Sequence, residues 1–295
     1  MDFYLLGELT INGALVGLMY ALVALGIVLI YKASRYANLA QGAFAMAGGY
    51  ACLILTQSAG MPIWAAIPLS VGLLFALGML VERLMLRRMI GQPIIMVIML
   101  TLGLEIMMRG LLPGFAGSMA RRLDLGIPQQ PIFLGEMLIN RSYLYSGLIA
   151  LALIAAAILF FNSRVGVSMR AVSDDQIASW SVGIRVERVI AVAWGLAGIA
   201  AAAAGILWGS VQGVDWTLSL LLLKALAIAI LGGLDSIGGV LVAGLIIGVC
   251  ESLASGYIDP LVGGGTRDVV ASVIILLTVL ARPHGLFGRE HIERV

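Results

Sequence analysis

Apolar residues run along this chain in long uncharged tracts, with polar residues gathered into short clusters between them. Residues 9–31 carry no charge, and these 23 residues suffice for a helix across a bilayer core of about 30 Å. Lys32 and Arg35 follow at once. Residues 36–81 are again uncharged, and the polar break at 57–62 divides them into two spans, the second ending on Glu82, Arg83, Arg87 and Arg88. Residues 89–112 read as a fourth span in which Glu105 and Arg109 lie four apart on one helix face, in the order that favours pairing. The stretch 113–142, where Pro113, Pro128 and Pro131 oppose regular helix, reads as the longest external loop, and 143–161 as the return span. After a polar stretch at 162–188, the tracts 189–214 and 216–234, a span that continues the glycine-rich 231–244 through Gly248 and ends near Glu251, and 269–281 bring the total to nine spans. The count is eight if a glycine-rich segment is re-entrant.

The polar stretch 162–188 has a local signature of its own. Ser173 followed three residues later by Gln176 has the form of a capping box, Asp174 and Asp175 suit a first turn, and Gly183 is placed to end the helix. The expectation is a short helix over 173–182. A helix of that length persists only when it docks against something. Local sequence leaves two partners open, a separate subunit or the protein's own inner surface.

Composition turns the tract pattern into a class. Hydrophobic residues make up 61% of the 295 and charged residues 12%, against about 45–50% and 25% in soluble domains. The fold class is therefore all-α, a polytopic membrane protein of about eight to nine transmembrane helices forming one transmembrane domain over 1–295. The 37 glycines imply close helix contacts, with Gly13 and Gly17 spaced for one and Gly244 and Gly248 for another. Lys32, Arg35, Arg83, Arg87, Arg88, Arg164, Arg170, Arg185, Arg188, Arg282, Arg289 and Arg294 fall on one side of this topology. Arg109, Arg121, Arg122, Arg141 and Arg267 fall on the other. The positive-inside rule then places the N-terminus outside and the C-terminus in the cytoplasm. Residues 1–9 carry Asp2 and Glu8 but no Lys or Arg, unlike the basic start of a cleavable signal peptide.

Several polar groups inside the apolar tracts are candidates for function. Asn38, Gln41 and Gly42, with Gly48 and Gly49, make one span unusually polar, as do Gly232, Gly233 and Ser236 in LGGLDSIGGVLVAG. Such segments either line a cavity or pack helices closely. Lys224 stands near the middle of an apolar tract, where a cation is either functional or paired, Glu105 and Glu251 being the conceivable partners. Trp208 and Trp216 suit the outer interface.

Enzymatic classes find little support. The two lysines are followed by Ala33 and Ala225, so there is no phosphate-binding G-x-x-x-x-G-K-[ST]. His284 and His291 lie in the tail, away from any span, and Cys52 and Cys250 have no metal or redox spacing. Two classes remain: a permease driven by a separate ATPase, and a channel or carrier driven by gradients. An ion-coupled carrier calls for an acidic residue deep in a cavity-lining helix, whereas Lys224 is basic and Glu105 and Glu251 read as peripheral.

Four stretches in order carry a resemblance that covers nearly the whole chain: NLAQGAF from Asn38, GVSMRAVSDDQIASWSVGIRVERVIA from Gly166, KALAIAILGGLDSIGG from Lys224, and RPHGLFG from Arg282. Together they resemble the LivH-type permease subunits of ABC importers for branched-chain amino acids. The resemblance implies that 162–188 is a cytoplasmic coupling loop, with Arg170, Ala171, Asp174, Ala178, Gly183 and Ile184 as its ATPase-coupling positions. It implies a pathway drawn from Asn38, Gln41, Gly42, Lys224, Gly232, Gly233 and Ser236, and no cofactor or metal. The implied partners are a second homologous permease, two cytoplasmic ATPases and a periplasmic substrate-binding protein, at the inner membrane of a bacterium. The implied substrates are Leu, Ile and Val, with urea, short amides or aromatic acids carried by related permeases. Asp235 departs from the resemblance, standing where a small residue is expected in the G-G-x-x-S turn.

Overall fold

The computed structural model describes residues 3–89, 92–128, 130–135, 137–282 and 284–288. Pro283, His291, Arg289 and Arg294, which figure in the sequence reading of the tail, lie outside them. The chain folds into twelve described helices: α1 Phe3–Ser34, α2 Gln41–Gln57, α3 Ile63–Leu84, α4 Ile94–Ala116, α5 Arg141–Phe161, α6 Arg164–Asp174, α7 Gln176–Ser181, α8 Val186–Val211, α9 Leu221–Gly232, α10 Ile237–Tyr257, α11 Asp259–Val262 and α12 Thr266–Ala281. Short 3₁₀ turns at Leu86–Met89 and Trp216–Leu220 extend α3 and precede α9.

Among the described residues, six helices are long and apolar enough to cross a membrane: α1, α3 with its 3₁₀ turn, α4, α5, α8 and α10. The nine expected spans therefore reduce to these six plus three shorter helices, α2, α9 and α12, of 17, 12 and 16 residues. The shortening of α2 and α9 has a visible cause. After Arg35 the chain turns back into the bundle, and α2 starts with Gln41 against Gly26, well inside α1 rather than at its end. Likewise Trp216–Leu220 tucks against α2, with the Ser219 carbonyl packed on Gly42, before α9 begins. Both are interrupted segments held inside protein, which is where irregular backbone is tolerated in a membrane.

α1 is the axis of the bundle, with residues 17–30 all buried. It crosses α10 through matched glycines: a Cβ added at Gly17 would run into the Gly244 carbonyl oxygen, and one at Gly248 into that of Gly13. The two spacings seen in the sequence thus meet each other, the small-residue contact that lets backbones approach in lipid. α8 packs its glycines the same way, Gly198 against the Leu74 carbonyl of α3 and Gly205 against the Ala45 carbonyl of α2. Trp208 is buried and stacks on Tyr20 at 4.8 Å instead of facing an interface, while Trp216 is exposed.

Two elements correct the sequence reading of 113–142. Pro113 lies inside α4, which runs on to Ala116. A two-stranded hairpin, β1 Ile132–Leu134 and β2 Met137–Ile139, adds a small amount of sheet to the all-α expectation. Polar side chains of α1 satisfy the edge of β2: Glu8 accepts from the Leu138 N–H, and Asn12 donates to the Leu138 carbonyl and accepts from the Asn140 N–H. This defines a hairpin end of the bundle. The opposite, basic end carries Lys32, Arg35, Arg83, Arg87, α6 and α7.

Candidate functional site

At the basic end, 162–188 is built as two helices rather than one over 173–182. The reason is the acceptor that wins: the Asp175 carboxylate takes the Ile177 and Ala178 N–H groups at 2.8 and 2.9 Å, so it caps α7, while Ser173 ends up in the last turn of α6. Gly183, at φ +86°, follows the end of α7 as expected. α6 is held by a buried face of Gly166, Met169 and Val172, and Arg170 donates to the Phe161 carbonyl at the end of α5. α7 is seated only by Ser179; Ile177, Trp180 and Val182 are exposed by 81%, 67% and 74%, three large apolar groups on one short element.

The coupling positions therefore divide. Arg170 and Ala171 are half-buried in the seat of α6, Ile184 is half-buried beside α8, and Asp174, Ala178 and Gly183 are exposed.

Arg35 joins this loop to the rest of the basic end. With φ at +62°, in the left-handed region that a non-glycine residue seldom takes, it directs its guanidinium between two carboxylates, Asp174 and Asp235, each at 3.4 Å. Its Nε donates to the Ser173 carbonyl at 3.2 Å, and Lys32 donates to the Asp235 carbonyl. Asp235 belongs to the Gly232–Gly233 turn between α9 and α10, where Gly233 has φ +93° and Ser236 caps α10 by accepting from the Gly239 N–H at 3.0 Å. The tail closes the same turn, with Leu286 N–H donating to the Leu231 carbonyl at 2.8 Å. One cation at the end of α1 thus links the α6–α7 loop to the turn that the tail grips.

The pathway candidates fall in three places. Gly232, Gly233 and Ser236 are in that turn. Asn38 and Gln41 are buried mid-bundle: the Asn38 amide donates to Gln41 Oε1, and the Gln41 amide to the Ala197 carbonyl. Lys224 is displaced from the middle toward the hairpin end, where it pairs with Glu251 at 2.6 Å and Asp268 at 2.9 Å. Glu251 is the buried partner, and Glu105 instead pairs with Arg109 at 3.5 Å. Sequence reading missed the contacts of Arg35 with Asp174 and Asp235. Their signal was present, in that Asp235 was the one charged intrusion in a glycine turn.

A bundle of apolar helices with a polar loop presented at one end is the architecture of a multi-pass membrane protein. The chain matches, over residues 9–280, the family described as branched-chain amino acid transport system / permease component. It belongs to that family. It is 28% identical to the high-affinity branched-chain amino acid transport system permease protein LivH of Escherichia coli (strain K12), covering 96% of each chain. Identity is also 28% to BraD of Pseudomonas aeruginosa, over 97% of this chain and 96% of that one. It is 27% to a probable LivH of Methanocaldococcus jannaschii, over 96% and 93%. Among solved structures, PsaBC from Streptococcus pneumoniae in complex with Fab is similar at 16% identity and a TM-score of 0.46, covering 96% of this chain and 94% of that one.

Proposed function

We propose that this chain is the membrane-spanning subunit of an ATP-driven importer that carries leucine, isoleucine and valine across the inner membrane of a bacterium. It works beside a second homologous permease, two cytoplasmic ATPases and a periplasmic binding protein. The basic end faces the cytoplasm, in keeping with the distribution of Lys and Arg. The observation that carries the proposal is α7, a short, well-capped helix with Ile177, Trp180 and Val182 exposed beside the exposed Asp174 and Ala178. An apolar cluster on a water-facing helix calls for a protein cover, and the ATPase is the cover this reading supplies. ATP-driven movement of α7 then passes through α6 and Arg35 to the α9–α10 turn, alternating access to a pathway near Asn38, Gln41 and Gly42. The relatives named for branched-chain amino acid transport support the substrate class.

Uptake of labelled leucine, urea and benzoate by cells with and without the chain tests this reading. Leucine uptake should fall on deletion. Unchanged leucine uptake in a strain lacking redundant importers, with loss of urea or benzoate uptake instead, moves the substrate to that solute. Transport that survives ATP depletion with ion gradients intact replaces the ATP-driven mechanism with a gradient-driven one.

A further inference from the structure

Between the basic-end termini of α3 and α8 runs a groove of about 870 Å³, closed at one side by Trp180 of α7. Its charge is uneven. Four arginines, Arg83, Arg87, Arg185 and Arg188, line it with two carboxylates, Glu82 and Glu187. Arg87 spans both carboxylates, at 3.2 Å from each. Arg83, Arg185 and Arg188 are exposed and form no ion pair among the described residues, and with four arginines against two carboxylates the lining keeps an excess of positive charge. Its other wall is apolar: Met79 and Leu80 are 36% and 50% exposed, about one turn back along α3 from Arg83. The lining is therefore amphiphilic along α3, cationic at the helix end and apolar about one turn back from it.

We propose that this groove binds an anionic phospholipid of the leaflet at the basic end. Arg83, Arg185 and Arg188 hold the headgroup phosphate, and Met79 and Leu80 flank an acyl chain. Guanidinium forks match phosphate oxygens in geometry as well as charge, and basic recesses between transmembrane helices are suited to acidic headgroups. The apolar wall selects a lipid over a free anion, which has no use for it. Because the groove ties the start of α8 to the end of α3 and touches α7, its lipid would set the ground against which the α6–α7 loop moves. The lipid site does not depend on which solute the chain transports.

The full-length chain in detergent, monitored by native mass spectrometry, tests this with phosphatidylglycerol, phosphatidylcholine and inorganic phosphate as separate probes. Phosphatidylglycerol should be retained in preference to phosphatidylcholine. An Arg185→Gln/Arg188→Gln variant should lose about fivefold in apparent affinity per arginine, about twenty-five-fold together. Arg164→Gln, on α6 and outside the groove, should leave binding unchanged. Leu80→Ser should weaken phosphatidylglycerol retention without affecting the response to inorganic phosphate. Equal retention by the double variant, an equal loss in Arg164→Gln, or equal binding of the two lipids overturns the site. Phosphate binding as tight as phosphatidylglycerol makes it a free-anion site instead. Loss of a copurifying protein from the double variant with lipid binding intact assigns the groove to that protein.

Discussion

The Arg35 guanidinium sits 3.4 Å from the carboxylate of Asp174, a residue 139 positions further along the chain, and at the same distance from Asp235, 200 positions along. Exposed ion pairs stabilise little; Asp174 is 71% exposed, Asp235 only 23%, and the proposed function assigns the linked pairs to relaying movement. Arg35→Gln should lower uptake about fivefold to thirtyfold, the effect of a lost coupling of about 1–2 kcal/mol, while expression and ATPase copurification stay normal. Arg35→Lys keeps the charge without the fork and should recover only part of the rate. Uptake equal to wild type in Arg35→Gln, at equal protein level, removes Arg35 from the relay.

The exposed positions of α7 should behave differently from those of α6. Ala178→Arg and Ile177→Ser should weaken ATPase copurification and uptake together, leaving melting temperature within error, since neither side chain is packed in the chain itself. Met169→Ala, in the buried seat of α6, should instead lower the melting temperature, with a cost of about 2–5 kcal/mol. If Ala178→Arg copurifies normally, the ATPase docks elsewhere.

Lys224 and Glu251 form a pair in which the acid is 3% and the cation 13% exposed. Removing one partner leaves a buried charge uncompensated, at a cost of about 3–5 kcal/mol. Lys224→Met should therefore destabilise the folded chain in detergent, and Lys224→Met/Glu251→Met should recover most of the loss. A stable single variant that has lost uptake would point to a role in the pathway instead.

The α1–α10 crossing gives a paired test. Gly17→Leu forces a side chain into the Gly244 backbone and should cost about 1–3 kcal/mol or more through overpacking. Gly72→Ala, where nothing lies within 4 Å of the added carbon, should be neutral or stabilising. Equal melting temperatures for the two variants would contradict the close crossing.

At the hairpin end, Asp259 accepts from Thr266 through both the Oγ1 hydroxyl and the backbone N–H, and from the Ser255 hydroxyl. These bonds, the Thr266 hydroxyl first, hold its carboxyl below the usual aspartate range. A depressed carboxyl contributes stability that is fully present above its unfolded-state pKa and is lost as pH falls through the folded value. Hydrogen exchange across 259–266 should therefore stay slow at neutral pH and quicken only in acid below the ordinary aspartate range. Asp259→Asn should show fast exchange already at neutral pH, and an unchanged profile in that variant would set the carboxylate aside.

Most of the helical architecture was legible because lipid leaves few options: an uncharged tract of span length has to be helical, and α1, α3, α5 and α8 follow their tracts closely. Glycine spacing at Gly13, Gly17, Gly244 and Gly248 announced close packing but not which helix each pair meets, since every tract offers small residues. The lengths of α2 and α9 were hidden for a different reason. An apolar segment has the same composition whether it starts at the membrane surface or, like Gln41 against Gly26, partway through the bundle. In the polar loop, Ser173 and Asp175 both offered capping chemistry. Tertiary context chose between them, because Met169 and Val172 extend α6 through Ser173, whose carbonyl Arg35 then takes. The partner of Lys224 was open in sequence because the packing of α10 brings Glu251, and that of α12 brings Asp268, to the same ammonium.

The separation of Arg35 from its partners sets an order on biogenesis. Synthesis at about 5–20 residues per second means that Asp235 is made roughly 10–40 s after Arg35, and the tail residue that grips the Asp235 turn comes later still. Until Asp174 is made, roughly 7–28 s after Arg35 at that rate, α1 has its basic end without either carboxylate, so it waits in the bilayer as a positively ended anchor. The bond from Leu286 to the α9–α10 turn forms later than the α1 end it adjoins, and a nascent chain cut short before Leu286 would lack that grip on the turn.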